Sequence, residues 1–170
     1  GVRPVIRVQH RDLHVIRLQG DGLVLQGLEI VGGLQYGVLM KGDYQTVRYN
    51  IIRRAGFDGV KGNLDSDYGL IEENEIHSFD HEGVDIVRGD HWIVRNNIIH
   101  DSTNTGSNEE EHSSHGIFAK GGSDDILIEN NEVYNIKSRW TAAIELGGTT
   151  ADEFLDFEPS GEYPFEATNA

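Results

Sequence analysis

The sequence predicts an all-β solenoid of about five to six coils, and three observations predict it. First, one phrase returns along the chain. His91-Trp-Ile-Val-Arg-Asn-Asn-Ile-Ile99 comes back as Asp125-Ile-Leu-Ile-Glu-Asn-Asn-Glu-Val133, and earlier as Tyr68-Gly-Leu-Ile-Glu-Glu-Asn-Glu-Ile76, Gln45-Thr-Val-Arg-Tyr-Asn-Ile-Ile52 and, more weakly, Gly22-Leu-Val-Leu-Gln-Gly-Leu-Glu-Ile30. Leu28, Asn50, Asn74, Asn97 and Asn131 then share one position, at spacings of 22, 24, 23 and 34 residues. A period in this range marks a stacked repeat, because one such unit cannot bury its apolar face alone. Second, each repeat has a matching second half: Gly37-Val-Leu-Met-Lys-Gly42, Gly59-Val-Lys-Gly62, Gly83-Val-Asp-Ile86, Gly116-Ile-Phe-Ala-Lys-Gly121 and Ala143-Ile-Glu-Leu-Gly147. Third, apolar residues alternate with a period of two, which is strand spacing, and the breaks between runs are Asn and Gly. These residues tolerate the left-handed backbone of tight turns at least cost.

The elements follow in order within a single domain, 1–170. Pro4-Val-Ile-Arg-Val8 and Leu13-His-Val-Ile-Arg-Leu18 read as strands of an incomplete first coil. Clear repeats run over 21–148. The coil 21–43 points Val24, Leu28, Ile30, Val38 and Met40 inward, the phase of the first two being open. The next, 44–65, uses Val47, Ile52 and Val60, and the third, 66–90, uses Ile71, Ile76, Val84 and Ile86. The fourth coil starts at His91 and carries a polar loop insertion, 101–115, ahead of a strand from Gly116 to Gly121. Loops of this length are usually functional or disordered. The fifth starts at Asp124 and has a smaller insertion containing Arg139 and Trp140. From Thr149 the pattern stops. Residues 149–170 read as a long loop leading into an incomplete coil whose first strand is Phe165-Glu-Ala-Thr-Asn169.

Open solenoid ends expose unpaired backbone, so missing coils, a cap or another chain is expected there. The chain opens on Gly1 in a strand-like register, without an initiator Met or a signal peptide. It is therefore read as a processed product or a piece of a longer solenoid.

These residues resemble the right-handed parallel β-helix family with a pectate-lyase-like fold. The resemblance rests on the Asn-x-Ile copies at Asn50, Asn74, Asn97 and Asn131 and covers about 22–148. It implies a stacked Asn ladder in the turn between the second and third sheets, with the strand after each repeat Gly forming the first sheet. It also implies right-handed winding and a secreted or cell-surface, bacterial-type setting. It does not fix activity, because one fold hosts many.

Composition narrows the classes. The 29 acidic against 14 basic residues give a net charge of −15, which argues against nucleic-acid binding and allows attraction of cations. No cysteine is present, so disulfides and thiolate chemistry are excluded. No apolar run approaches the length of a membrane-spanning helix, and no membrane partner is expected.

Strand alternation places the chemistry. Pointing outward from the first-sheet strands is the column Leu39, Lys61, Asp85, Phe118, Glu145, and two residues on lies Lys41, Asn63, Val87, Lys120, Gly147. Entering the sheet is the column Tyr36, Asp58, Glu82, His115, Ala142. Neighbouring coils lie about 4.8 Å apart, so Asp58, Glu82, Asp85 and His115 converge near Lys61 and Lys120. In β-helix enzymes that attack acidic sugars, the resemblance implies that this sheet forms the groove.

The expected activity is β-elimination on a uronate-containing acidic polysaccharide. Such a lyase must neutralise the substrate carboxylate and remove the C5 proton. Asp85, Glu82 and Asp58 are candidate Ca²⁺ ligands for the first task, and Arg88 or Lys61 could replace the ion. Lys120 or His115 is the candidate base. Trp140, Phe118 and His81 are candidate sugar contacts.

Plainer readings stand beside these. Lys61 next to Asp85 also reads as a cross-strand ion pair, and Asp58 and Glu82 as acids beside tight Gly turns. His77, His100 and Tyr134 read as a structural stack, and 109–111 as a solvated acidic run. His112 and His115 have metal-like spacing, but in a predicted loop. Ser114-His115-Gly116 echoes the polygalacturonase-type hydrolases without their Arg-x-Lys or paired Asp. Ser78-Phe-Asp-His81 only partly echoes the alginate epimerase pattern. The alternative function is a non-catalytic glycan-binding or structural β-helix segment, or a fragment of a larger enzyme.

Overall fold

The computed structural model describes residues 2–8, 13–64, 66–104, 113–138 and 141–147, with the backbone of 167–168. Among these the chain forms strands and no helix. One sheet, here sheet B, stacks β2 (His14–Gln19), β5 (Tyr36–Lys41), β8 (Val60–Gly62), β11 (Glu82–Val87), β14 (Ser114–Lys120) and β18 (Thr141–Leu146). Sheet C stacks β3 (Val24–Gln26), β6 (Thr46–Arg48), β9 (Leu70–Glu72), β12 (Ile93–Arg95) and β16 (Leu127–Glu129). Sheet A stacks β1 (Val5–Arg7), β4 (Glu29–Val31), β7 (Ile51–Arg53), β10 (Glu75–His77), β13 (Ile98–His100) and β17 (Glu132–Tyr134). Each coil visits B, C and A in turn, and all the pairings are parallel. The result is a solenoid of about five coils. Of the strand expected over 165–169, Ala167–Thr168 forms β19, which pairs with β15 (Ser123–Asp124). The rest of 149–170, the acidic run 109–111, His112, Arg139 and Trp140 lie outside the described residues.

The interior is the expected apolar stack. Ile30, Val38, Met40, Val47, Ile52, Val60, Ile71, Ile76, Val84 and Ile86 are fully buried. The first coil needs one correction: Val24 is exposed, and Leu25 packs against the core instead. The slip is of one residue, which in a strand reverses every side chain. The strand after the insertion begins at Ser114, two residues before its expected start.

The glycines at the head of the sheet B strands have a different cause from the one the sequence suggested. Gly37, Gly59, Gly83 and Gly116 are not left-handed. They make room for the apolar side chain of sheet A that crosses the corner. A Cβ on Gly83 would lie 2.4 Å from Ile99 Cγ2 and 2.6 Å from the Gly116 carbonyl oxygen. Gly83→Ala is therefore expected to cost about 3 kcal/mol by overpacking, read as a lowered denaturation midpoint. A cost below about 0.5 kcal/mol, the ordinary range for an unconstrained surface site, would show that the corner is not close-packed.

Conversely, the left-handed turn positions are mostly held by larger residues. Tyr49, Glu73, Asn96 and Asn130 have φ of 54–56°, one residue before each ladder Asn. Stacking offsets the strain at another corner, where the rings of Tyr44, Tyr68 and His91 lie 4.6 and 4.7 Å apart. Trp92, entirely buried, fills the corner beside Gly62, Gly69 and Gly89, and its indole N–H donates to the Ser66 carbonyl at 2.6 Å.

The Asn ladder is in place. Asn74 Oδ1 accepts the Asn50 backbone N–H at 3.0 Å, and Asn97 Oδ1 accepts that of Asn74 at 3.0 Å. Asn131 Oδ1 does the same for Asn97 at 3.0 Å. His77, His100 and Tyr134 form the expected outward stack, with centroids 5.0 and 4.8 Å apart.

Candidate functional site

The outward face of sheet B gathers the ionisable residues. Its register aligns Leu39, Lys61, Asp85, Phe118 and Glu145, with Glu82 beside His115 and Val87 beside Lys120. Buried Val60, Val84, Ile86, Ile117 and Ala119 fill the inner face of the same strands, and this alternation pins the outward set. Glu82 and Asp85 both lie on β11 and reach the same cluster although they are three residues apart.

Asp58, Glu82 and Asp85 are all buried, and one carboxylate oxygen of each lies within 4.8 Å of the others. The Lys61 ammonium donates to Asp85 Oδ2 and lies 3.8 Å from Asp58 Oδ2. Lys120 Nζ is 3.6 Å from the other Asp85 oxygen, Oδ1, which accepts no hydrogen bond among the described residues. Asp58 Oδ1 accepts the Glu82 backbone N–H at 3.3 Å, and the two side chains are hydrogen-bonded to each other. His115 Nε2 is 2.7 Å from Glu145 Oε2, and its Nδ1 is 3.4 Å from Glu82 Oε1. Phe118 joins the two ends: the His115 ring packs at 4.6 Å from it, and the Lys120 ammonium lies 4.1 Å from its centroid.

Burial, reinforced by Glu82 and Asp85, pushes the Asp58 carboxyl well above the usual carboxylate range. Burial also raises Glu82, although its hydrogen bond with Asp58 works against the shift. Burial thus pushes both carboxyls of this pair toward the protonated form. Burial alone would lower Lys61, but Asp85 and Asp58 outweigh it and the ammonium is held more tightly than usual. Burial lowers His115, against the opposing pull of Glu145, so its imidazole is neutral at pH 7.

The raised Asp58 pKa has a sign that can be tested. A carboxyl raised on folding stabilises fully below its unfolded value near 3.8, and that contribution is lost as pH rises through the folded value. Asp58→Asn mimics the protonated acid at every pH. The variant should gain stability relative to the wild type as pH rises from about 4 toward 8, by about 1–2 kcal/mol. Thermal melts across that range read the difference, and a constant offset would show that Asp58 does not hold the proton.

The structure thus brings Lys61, Lys120, His115, Asp58, Glu82, Asp85 and Phe118 together. Phe118 is buried between His115 and Lys120, not open as a sugar platform. Arg88 sits at the turn leaving β11, with φ 53° and its backbone N–H on the Lys120 carbonyl. His81 immediately precedes Glu82 and packs against Phe57 at 4.2 Å. Two residues were not singled out from the sequence. Glu145 partners His115, a role that the coil register already contained. Phe57, which is 40% exposed, precedes Asp58 as His81 precedes Glu82, so the column one residue upstream would have found it.

Three converging carboxyls resemble a Ca²⁺ site, yet the arrangement does not fit a divalent ion. Ca²⁺ takes six to eight oxygens. Here an ammonium stands beside each Asp85 oxygen, and Asp58 and Glu82 are spent on one another.

The sequence profile of the family described as "Right handed beta helix region" matches residues 36–151. No curated protein and no solved structure matches the chain. The matched span runs from β5 through β18 and holds every member of the cluster, and the chain belongs to the right-handed β-helix family.

Proposed function

We propose that the chain acts on an acidic, uronate-containing polysaccharide by β-elimination, at the outward face of sheet B. The family is compatible with polysaccharide-active proteins. The observation that supports the finer reading is a neutral imidazole and an ammonium, His115 and Lys120, packed on the one ring of Phe118. A lyase needs a base and a carboxylate neutraliser within reach of one sugar.

In this reading Lys120 pairs with the C6 carboxylate and acidifies the C5 proton. His115 takes that proton. The C5–H electron pair becomes the C4=C5 double bond, the C4–O bond breaks, and the departing oxygen takes a proton from the Asp58–Glu82 pair. Lys61 is not the base, because its proton is held by Asp85 and Asp58. A substrate of this kind goes with a secreted or cell-surface location.

The test is incubation with a panel of uronate polysaccharides, following ultraviolet absorbance of the unsaturated product. A rising signal on any substrate is the expected result. The Asp58–Glu82 carboxyl pair favours a second reading, acid-assisted glycoside hydrolysis, since a proton-retaining carboxyl beside an ionised one is what that reaction uses. New reducing ends without the absorbance would select it. Neither signal would overturn both readings in favour of a glycan-binding or structural segment.

A further inference from the structure

We infer that Lys61 is a built-in cation, and that its ammonium occupies the position among Asp58, Glu82 and Asp85 where a divalent ion would otherwise sit. The inference deepens the site described above, but its test reads metal binding, not turnover.

The geometry supports it in three ways. Lys61 reaches the cluster from β8, one coil before Asp85, and its side chain is largely buried there. It bonds Asp85 Oδ2 and lies 3.8 Å from Asp58 Oδ2, so it bridges two of the three acids. The Tyr36 ring, 5.9 Å from Nζ, borders it on the side of the preceding coil. Two ammonium groups, those of Lys61 and Lys120, already stand against this cluster of three carboxyls. A divalent ion placed among the same oxygens would meet both ammoniums at close range, in a setting too buried for water to screen them.

The consequence is functional. Lys61 is a positioning residue that holds Asp85 and Asp58 in place. The neutralising charge offered to a substrate carboxylate is then that of Lys120, and no ion needs to be recruited.

Removing the ammonium should therefore create a metal site. Thermal melts in EGTA and in millimolar CaCl₂, together with Tb³⁺ luminescence titrations competed by Ca²⁺, would compare the wild type with Lys61→Ala and Lys61→Arg. The wild type and Lys61→Arg should melt at the same temperature in both buffers and give no saturable Tb³⁺ signal. Lys61→Ala should melt lower in EGTA, recover on adding Ca²⁺, and bind Tb³⁺ one to one, with an apparent affinity at least about tenfold tighter than the wild type. Folding of Lys61→Ala only in CaCl₂ would support the inference further. One-to-one Ca²⁺ binding by the wild type would overturn it. So would a Lys61→Ala protein that gains no Ca²⁺ affinity, or that stays unfolded in both buffers, because the cation position would then not be interchangeable.

Discussion

Replacing Asn74 with alanine is expected to destabilise the fold by about 3–5 kcal/mol, near the upper end for a single polar truncation. Asn74 is buried, and its amide makes four bonds across three coils. Oδ1 accepts both the backbone N–H and the side-chain N–H of Asn50, at 3.0 and 3.1 Å. Nδ2 donates to the Val47 carbonyl at 2.9 Å and to Asn97 Oδ1 at 3.1 Å. Alanine would strand the Asn50 N–H and the Val47 carbonyl at a corner with no room to repair them. Each buried orphan costs about 1–3 kcal/mol, more than an average bond contributes when both partners are present. Denaturant unfolding with an unchanged m-value would read the loss. The same change at the partly buried Asn131, the last rung, should cost less, because its Nδ2 donates to the Val94 carbonyl at 2.8 Å but, among the described residues, to no further Asn. Equal and small losses at both positions would show that the ladder decorates the corner without holding it.

A second ladder runs the other way. The carboxylate of Asp43 accepts the backbone N–H of Asp67 at 3.0 Å, that of Asp67 accepts Asp90 at 2.9 Å, and that of Asp90 accepts Asp124 at 2.8 Å. In the Asn ladder the later coil supplies the acceptor, and in the Asp ladder the earlier one does. Each coil is therefore gripped from both neighbours, at two different corners. Loss of one Asn rung should loosen the stack locally while the Asp corner keeps the register.

The solenoid was legible because its two strongest signals are periodic. The Asn phrase marks one corner, and apolar alternation marks the faces between corners, so the columns on sheet B follow by counting. Val24 shows where counting fails: Gly22-Leu-Val-Leu is apolar at three successive positions, and alternation alone cannot choose the inward one. The corner glycines show a different limit. Gly83 reads as a turn former, and only the position of Ile99 in the next coil reveals that the need is for space. The cluster was legible as a set of residues but not as a set of bonds. Register places Lys61 beside Asp85. That burial raises the Asp58 carboxyl, or that Glu145 partners His115, depends on burial and side-chain rotamers that no spacing encodes.

The largest effect on activity is expected at His115. If it removes the C5 proton, His115→Ala should lower kcat by about 10²–10⁴-fold, the usual range for a general base, with little change in KM. Lys120→Ala should act differently. It removes the charge that meets the substrate carboxylate in both the ground and transition states, so KM should rise and kcat should fall together. The pH profile separates a base from a structural residue. His115 must be neutral to accept a proton, and burial holds its pKa below 6.5, so the rate should stay high as pH falls past 6.5 and drop only below that. Glu145 pulls that pKa upward from 2.7 Å. Glu145→Gln should then move the acid limb to still lower pH while leaving the fold intact, since Glu145 lies on the outer face of the last strand of sheet B. An acid limb that stays in place in Glu145→Gln, or a His115→Ala protein that keeps its rate, would remove His115 from the chemistry and leave it as a buried partner of Glu82 and Glu145.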